Sequence, residues 1–508
     1  MELTGSDVAC DDVYSVAFEK AEVKFGKKAR EIVKKSRAYL EKRLNSKETI
    51  YGVNTGFGAL SDVRINPEDI AKLQVNILRS HSSGVGNYFS PEETRAIMFL
   101  RANALARPHS ATRPEVVDKI LELLNADILP VIPQQGSVGA SGDLAPLSHL
   151  ALGVIGEGQC WHKGNIKDTA GVLKELKIPP LRLESKEGLS LINGCQVMTG
   201  VGILKTLLAK DIVLLADVAG AMTVEAVQGS RKAFDAVIAP TRPHPGESET
   251  AANIRKILGE RSEIGDSHAN CKKVQDAYSI RCMPAVHGAV KNTIRNTLKT
   301  LEIEANSSTD NPLVFAEEDK ILSCGNFHGE PVAFAMDYLA VAMTALGAIS
   351  ERRIEKMTNT VTSGLPAFLA PKSGLNSGMM IVQYAAASLV SENQVLSHPA
   401  SVGSIPTSAN KEDHVSMGTI AARKCGNIVE NVKNIIAMEL LCATQAMDLL
   451  KPLKPTAGVL GAYKFIRRHV EFAGEDRIFS NDIKKIAELI SDGSLLDAVE
   501  KEVGKLFL

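Results

Sequence analysis

The sequence predicts a mainly α protein: an elongated central helical bundle with an N-terminal lobe. Two observations predict it. Five segments, 197–229, 284–306, 331–358, 378–396 and 415–450, exceed ordinary globular helix length, and the charges punctuating them leave wide apolar faces. β signals are sparse, with Gly156-Glu-Gly-Gln-Cys-Trp-His-Lys-Gly164 one of the few hairpin candidates. A chain of 508 residues can bury a large core and divide into more than one lobe. The expected division is 1–196 as the N-terminal lobe, 197–450 as the bundle and 451–508 as short helices capping it.

Composition narrows the function classes. Hydrophobic content is 44% and the formal net charge is -1, which points to neither nucleic acid nor an acidic membrane as a partner. Met1-Glu-Leu-Thr-Gly-Ser-Asp7 lacks the positive start and apolar core of a signal peptide, so a cytoplasmic location is expected. The longest uncharged run, Ser373 to Ser391, contains Asn376, Gln383 and several serines, and no membrane span is expected. Eight scattered cysteines without a C-x-x-C read as free thiols in a reducing compartment. Cys324 and His328 are close in sequence, but two ligands do not make a metal site, and none is expected.

Taken in order, residues 1 to 47 include a helix with apolar positions Ala29, Ile32, Val33, Ser36 and Leu40. Its other side, Lys27, Lys28, Arg30, Lys34, Lys35, Arg37, Lys42 and Arg43, reads as a solvated face rather than a phosphate-binding one. Tyr51-Gly-Val-Asn-Thr-Gly-Phe-Gly58 lacks the Lys-Ser/Thr of a phosphate loop and fits a mobile loop that delivers a phenol. Leu73 to Gly86 reads as a helix running into Ser80-His81. Helices follow over Glu92–Ala106 and Glu115–Asn125, before Pro130 and Pro133.

Those prolines lead into Gly136-Ser-Val-Gly-Ala-Ser-Gly-Asp-Leu-Ala-Pro-Leu-Ser-His149. Within it, Ala140-Ser141-Gly142 has the residue types for a backbone-derived electrophile. Gly142 bends without a Cβ so that its nitrogen can attack the Ala140 carbonyl, and Ser141 can lose water to leave a methylene. Three small residues in a Gly-rich loop are usually just a loop, and for the bare triplet that reading wins. A serine-hydrolase elbow is excluded, because Asp143 stands where G-x-S-x-G needs its last glycine. Downstream lie Gly188-Leu-Ser-Leu-Ile-Asn-Gly-Cys-Gln196 and three polar interruptions of the long helices. These are Val274-Gln-Asp-Ala-Tyr-Ser-Ile-Arg-Cys-Met-Pro284, Cys324-Gly-Asn-Phe-His-Gly-Glu330 and Ser404-Ile-Pro-Thr-Ser-Ala-Asn-Lys-Glu-Asp-His-Val-Ser-Met417. Pro284 suits the first turn of a helix, and His414 reads as structural.

Over essentially its whole length the chain resembles the aromatic amino acid ammonia-lyase family, on the motifs quoted above. The resemblance implies a fumarase/aspartase-like architecture and a homotetramer whose active sites are shared between subunits. It implies that Ala140, Ser141 and Gly142 cyclise to 4-methylidene-imidazole-5-one, with no external cofactor. Tyr51 would be the catalytic acid/base, Asn193 would lie beside the prosthetic group, and Phe327 would be the aromatic next to it. Gln275 and Tyr278 would line the site, and Arg281 would bind the substrate carboxylate. In the family the pair at 80–81 tracks the substrate ring, and Ser80-His81 matches members acting on histidine. Glu412, where phenylalanine lyases carry glutamine, points the same way. The implied reaction is elimination of ammonia from L-histidine to give trans-urocanate. A tyrosine or phenylalanine lyase or an aminomutase is the alternative, and a non-catalytic scaffold the remote one. Cys195 in place of threonine, Met283, His287 and Lys411 depart from the common pattern.

Overall fold

In the computed structural model, helices dominate and strands are few and short. The structure describes residues 1–45, 50, 52–56, 64–269, 271 and 274–508. The five expected long segments form helices Gln196–Ala226, Met283–Ala305, Glu330–Thr358, Met380–Leu396 and Gly418–Leu449. The described chain divides into two compact units: 1–204 with 298–337 and 399–423, and 205–297 with 338–398 and 424–508.

The first unit is centred on helix Pro91–Leu105, in which the twelve residues from Thr94 to Leu105 are buried. Its start is built for the task. Pro91 occupies the first turn, the Ser90 hydroxyl accepts from the Glu93 amide at 3.2 Å, and the Glu93 carboxylate accepts from the Ser90 amide at 3.0 Å. Helices Cys10–Phe18 and Pro114–Asn125 pack against it. The expected hairpin is present as Gln159–His162 paired antiparallel with Asn165–Asp168. Its turn residues Lys163 and Gly164 both have positive φ, 52° and 75°, as a type I′ hairpin turn requires.

Two local expectations need correction. The helix expected to reach Gly86 ends at His81, and Val85–Tyr88 is a strand paired with Pro133–Gln135. The Ser82 hydroxyl donates back to the Leu78 carbonyl at 2.8 Å, closing the helix. On helix Lys27–Asn45, Ile32 is 40% exposed whereas Arg37, assigned to the solvated face, is buried. Arg37 donates to Glu41 at 2.7 Å, to Glu184 at 2.9 Å and to the Ser185 carbonyl at 2.9 Å, which satisfies its charge and donors.

The second unit holds a fully buried ionic network. Arg353 donates to Glu439 from Nε at 2.6 Å and from Nη2 at 2.8 Å, and Lys291 donates to Asp217 at 2.7 Å. His287 bridges the two pairs, with Nδ1 2.8 Å from Asp217 and Nε2 3.2 Å from Arg353 Nη1. Because a guanidinium only donates, Nε2 must accept and Nδ1 must carry the proton to Asp217. Burial lowers the His287 pKa, in keeping with that neutral tautomer. The C-terminal part forms short helices Ala457–Arg467, Phe479–Ser491 and Ser494–Val503.

One described helix, Glu330–Thr358, is long and apolar enough to cross a membrane by length and composition, and half of its apolar window is buried within the chain. Its Asp337 is buried and accepts from the Ser401 amide at 2.8 Å.

Candidate active site

The loop bearing the triplet starts from strand Pro133–Gln135 and ends at helix Leu144–Val154. Gly142 has φ +71°, and a Cβ there would run into the Gly194 carbonyl. The close approach is hydrogen-bonded on both sides of it: the Asp143 amide donates to Gly194 O at 2.7 Å, and the Gly194 amide donates to Ser141 O at 3.2 Å. Ala140 is buried against Val415 and Met417, while Ser141 is half-buried. A tight turn with a buried small residue, a partly free hydroxyl and a glycine that no other residue can replace fits the geometry that cyclisation of the triplet demands.

Asp143 anchors this turn. Its carboxylate accepts from the Val197 and Met198 amides at 3.0 and 2.9 Å, from Ser137 Oγ at 3.2 Å and from Thr419 Oγ1. Val197 and Met198 are in the first turn of helix Gln196–Ala226, whose amides have no partner within the helix. Asp143 therefore supplies the cap, and its negative charge meets the positive end of the helix. Burial still pushes the Asp143 carboxyl up to about 6, against the pull of those four donors.

Asn193 immediately precedes the Gly194 contact. Its side-chain amide donates to Asp310 Oδ1 and to Asn311 O, both at 3.1 Å, while its Oδ1 is buried without a hydrogen-bond partner. Arg101, fully buried and lowered to about 10 by desolvation, donates to the Asn193 carbonyl at 3.0 Å and to the Ser190 carbonyl. Lys186 donates to Asp310 at 2.6 Å and, against the upward push of burial, helps hold that carboxyl below its usual range. Arg101, Lys186 and Asp310 were not singled out from sequence. Their partners lie roughly 90 to 125 residues away, and only Asp310, in the polar run Ser307-Ser-Thr-Asp-Asn311, offered a local sign.

Glu412 reaches the triplet, with Oε1 3.5 Å from Ser141 Oγ, and its other oxygen accepts from Thr407 Oγ1 at 2.7 Å. His81 is half-buried with Nδ1 3.0 Å from Ser80 Oγ. Desolvation lowers its pKa, and the charge of Glu412 acts in the opposite sense. Phe327 is half-buried, and its carbonyl is 3.0 Å from Cys195 Sγ. The Cys195 departure thus joins the Asn193 segment to the Phe327 loop. The first unit accordingly brings Ala140, Ser141, Gly142 and Glu412 together, with His81 close enough to feel the Glu412 charge.

Gln275, Tyr278 and Arg281 belong to the second unit. Tyr278 opens the short helix Tyr278–Arg281 and is 69% exposed, with the Arg281 guanidinium 4.4 Å from its ring centroid. Arg281 Nε donates to the Asp276 carbonyl at 3.1 Å. Gln275 is exposed. Tyr51 lies outside the described residues. Its loop continues through the buried Gly52–Gly56 segment, where the Gly52 amide donates to Thr55 Oγ1 at 3.0 Å.

Glu304, beside Cys195, is half-buried, and desolvation pushes its carboxyl up from 4.5 to about 7. The folded chain therefore binds this proton more tightly than the unfolded chain does. The stabilisation is complete below pH 4.5 and is lost as pH rises through 7. Over that window the loss is roughly 2–3 kcal/mol. Glu304→Gln is thus expected to gain that much relative to wild type between about pH 5 and about pH 8 in urea unfolding. A constant difference at the two pH values would refute it.

A family profile described as aromatic amino acid lyase matches residues 8–468. The chain belongs to that family. This aromatic amino acid lyase is 48% identical over 497 residues to the histidine ammonia-lyase of Myxococcus xanthus strain DK1622, covering 98% of each chain. Among solved structures, it matches the histidine ammonia-lyase of Trypanosoma cruzi with a TM-score of 0.92 and 43% identity, over 99% of this chain and 95% of that one. It also matches the tyrosine aminomutase of Streptomyces globisporus with a TM-score of 0.94 and 38% identity, over the whole of both chains. The lyase has the mainly α fold of these relatives and is a carbon–nitrogen lyase.

Proposed function

We propose that this chain eliminates ammonia from L-histidine to give trans-urocanate, the first step of histidine degradation. The observation that carries the reading is the Glu412 carboxylate 3.5 Å from the Ser141 hydroxyl, with the desolvated His81 in its field. A carboxylate beside the triplet, with an imidazole in its field, suits a polar, hydrogen-bonding ring. The runs of full-length relatives named histidine ammonia-lyase support it too. The prosthetic group proposed is 4-methylidene-imidazole-5-one, held by Ala140, Ser141 and Gly142. It would supply an electrophile for the substrate amine, and no external cofactor is needed.

The chain's own residues do the rest. Arg281 binds the carboxylate with its planar fork, while Glu412 and His81 accept and orient the imidazole. Asn193 and Phe327 flank the triplet, and Gln275 and Tyr278 order the substrate. Tyr51 exchanges the β proton. An unperturbed phenol titrates at about 10, so the rate is expected to climb between about pH 6 and about pH 10, earlier in that range the further Tyr51 is tuned downward. A flat rate from about pH 6 to about pH 10 would count against this role.

The homotetramer with shared sites has two supports. Tyr278, 69% exposed here, needs a cover before it can order a substrate. Ile381, Tyr384 and Val395, spaced to share one face of helix Met380–Leu396, are 62%, 59% and 77% exposed, as subunit burial would require. The eight free cysteines suit the cytoplasm.

Ultraviolet-monitored turnover on L-histidine, with L-tyrosine and L-phenylalanine in parallel, tests the function. A conjugated acid from histidine alone is expected; turnover of another substrate alone would overturn the specificity. Glu412→Gln is expected to cut kcat/KM for histidine by about 10- to 100-fold, the worth of a charged hydrogen bond. An unchanged value would remove Glu412 from ring recognition.

A further inference from the structure

Sequence spacing paired His328 with Cys324, but the fold gives His328 other company. Cys324 Sγ faces the Asp310 carbonyl at 3.9 Å. His328 instead meets Glu330 and His414, and one nitrogen or oxygen from each of the three lies within 4.8 Å of the others. His328 Nδ1 is 3.8 Å from Glu330 Oε2, and the rings of His328 and His414 are within 5° of parallel with centroids 5.6 Å apart. Two polar atoms of the cluster are buried without a hydrogen-bond partner: His328 Nε2 and Glu330 Oε2. Buried polar atoms are nearly always paired, so two orphans in one cluster indicate a missing partner.

We propose that His328, Glu330 and His414 form a binding site for a divalent transition metal of the Zn2+ class. Two imidazoles and one carboxylate are the donor set such ions take, and the hard-cation alternatives prefer all-oxygen sites. Ligand atoms about 2.1 Å from Zn2+ lie roughly 3.4 Å apart in a tetrahedron, so side-chain rotations of about an ångström close the set around an ion. With three protein ligands, a fourth position is left for solvent. The ion would tie two segments distant in sequence: the loop of Phe327, one residue before His328, and the segment of Glu412, two residues before His414. The site is therefore a cross-link beside the candidate active site and takes no part in the elimination. It stands independently of the substrate.

The test uses full-length protein stripped by chelation and dialysed, on a Cys271→Ser background that removes the exposed thiol. Zn2+ alone is titrated calorimetrically, and Co2+ is followed through its visible ligand-field bands. One equivalent per chain is expected, lost in His414→Ala and weakened at least about 10-fold in Glu330→Gln. His414 is exposed, so its truncation should leave far-ultraviolet circular dichroism unchanged. Slower amide exchange across 324–330 and 404–414 on adding Zn2+ is expected in the wild type alone. No uptake by the wild type, or equal uptake by His414→Ala, overturns the site whatever the activity assays return.

Discussion

Ser141→Ala is expected to abolish turnover while leaving the protein folded. Ser141 is half-buried, and its hydroxyl approaches Glu412 only at 3.5 Å, so truncation disturbs little packing. Its effect on stability should stay within about 0.5 kcal/mol. The effect on rate is of another order. A positioned general base contributes about 10²- to 10⁴-fold, whereas enzymes commonly supply about 10⁶-fold or more, so losing the proposed electrophile should cost at least about 10²-fold. Intact mass gives an independent readout. The wild-type chain should be two waters lighter than its encoded mass, and the variant should not. Wild-type turnover by Ser141→Ala would sink the prosthetic-group proposal.

Asp143→Ala is expected to damage both fold and maturation. The carboxylate is the common acceptor for two helix-start amides and two hydroxyls, and alanine leaves all four without it. Stranding buried donors at a helix start should cost about 3–4 kcal/mol in urea unfolding. The Gly142–Gly194 approach should loosen with it, so a larger fraction of the variant should retain its encoded mass. If Asp143→Ala unfolds like the wild type, the capping role assigned to this carboxylate is wrong.

The long helices were legible because each is a continuous apolar-faced run whose length alone excludes a strand. The triplet and Glu412 were legible as motifs. What makes them a site was not. Glu412 lies 271 positions from Ser141, and no periodicity links them. The same distance problem hid Arg37 and Arg101. Helical spacing placed Arg37 on a basic face with Glu41 one turn away, but Glu184 and the Ser185 carbonyl, 147 and 148 positions downstream, give it a reason to be buried that only the folded chain contains. The helix expected to run from Leu73 to Gly86 stops at His81, and Gly86, with φ +83°, lies within strand Val85–Tyr88 instead. Tyr51 fell outside the described residues, so its motif remains the basis for its proposed role.

The approach of Gly142 to Gly194 bears on engineering. Three residues carry the proposed chemistry, yet they are held by a carbonyl about fifty positions downstream, and by an acid whose partners are the start of a 31-residue helix and a hydroxyl at 419. Transplanting Ala-Ser-Gly into a surface loop of another scaffold would therefore yield an inert tripeptide. A portable version would need the facing Asn193–Gly194 segment and a helix start presented to an acid at the position of Asp143. The smallest transferable unit is an interface between segments.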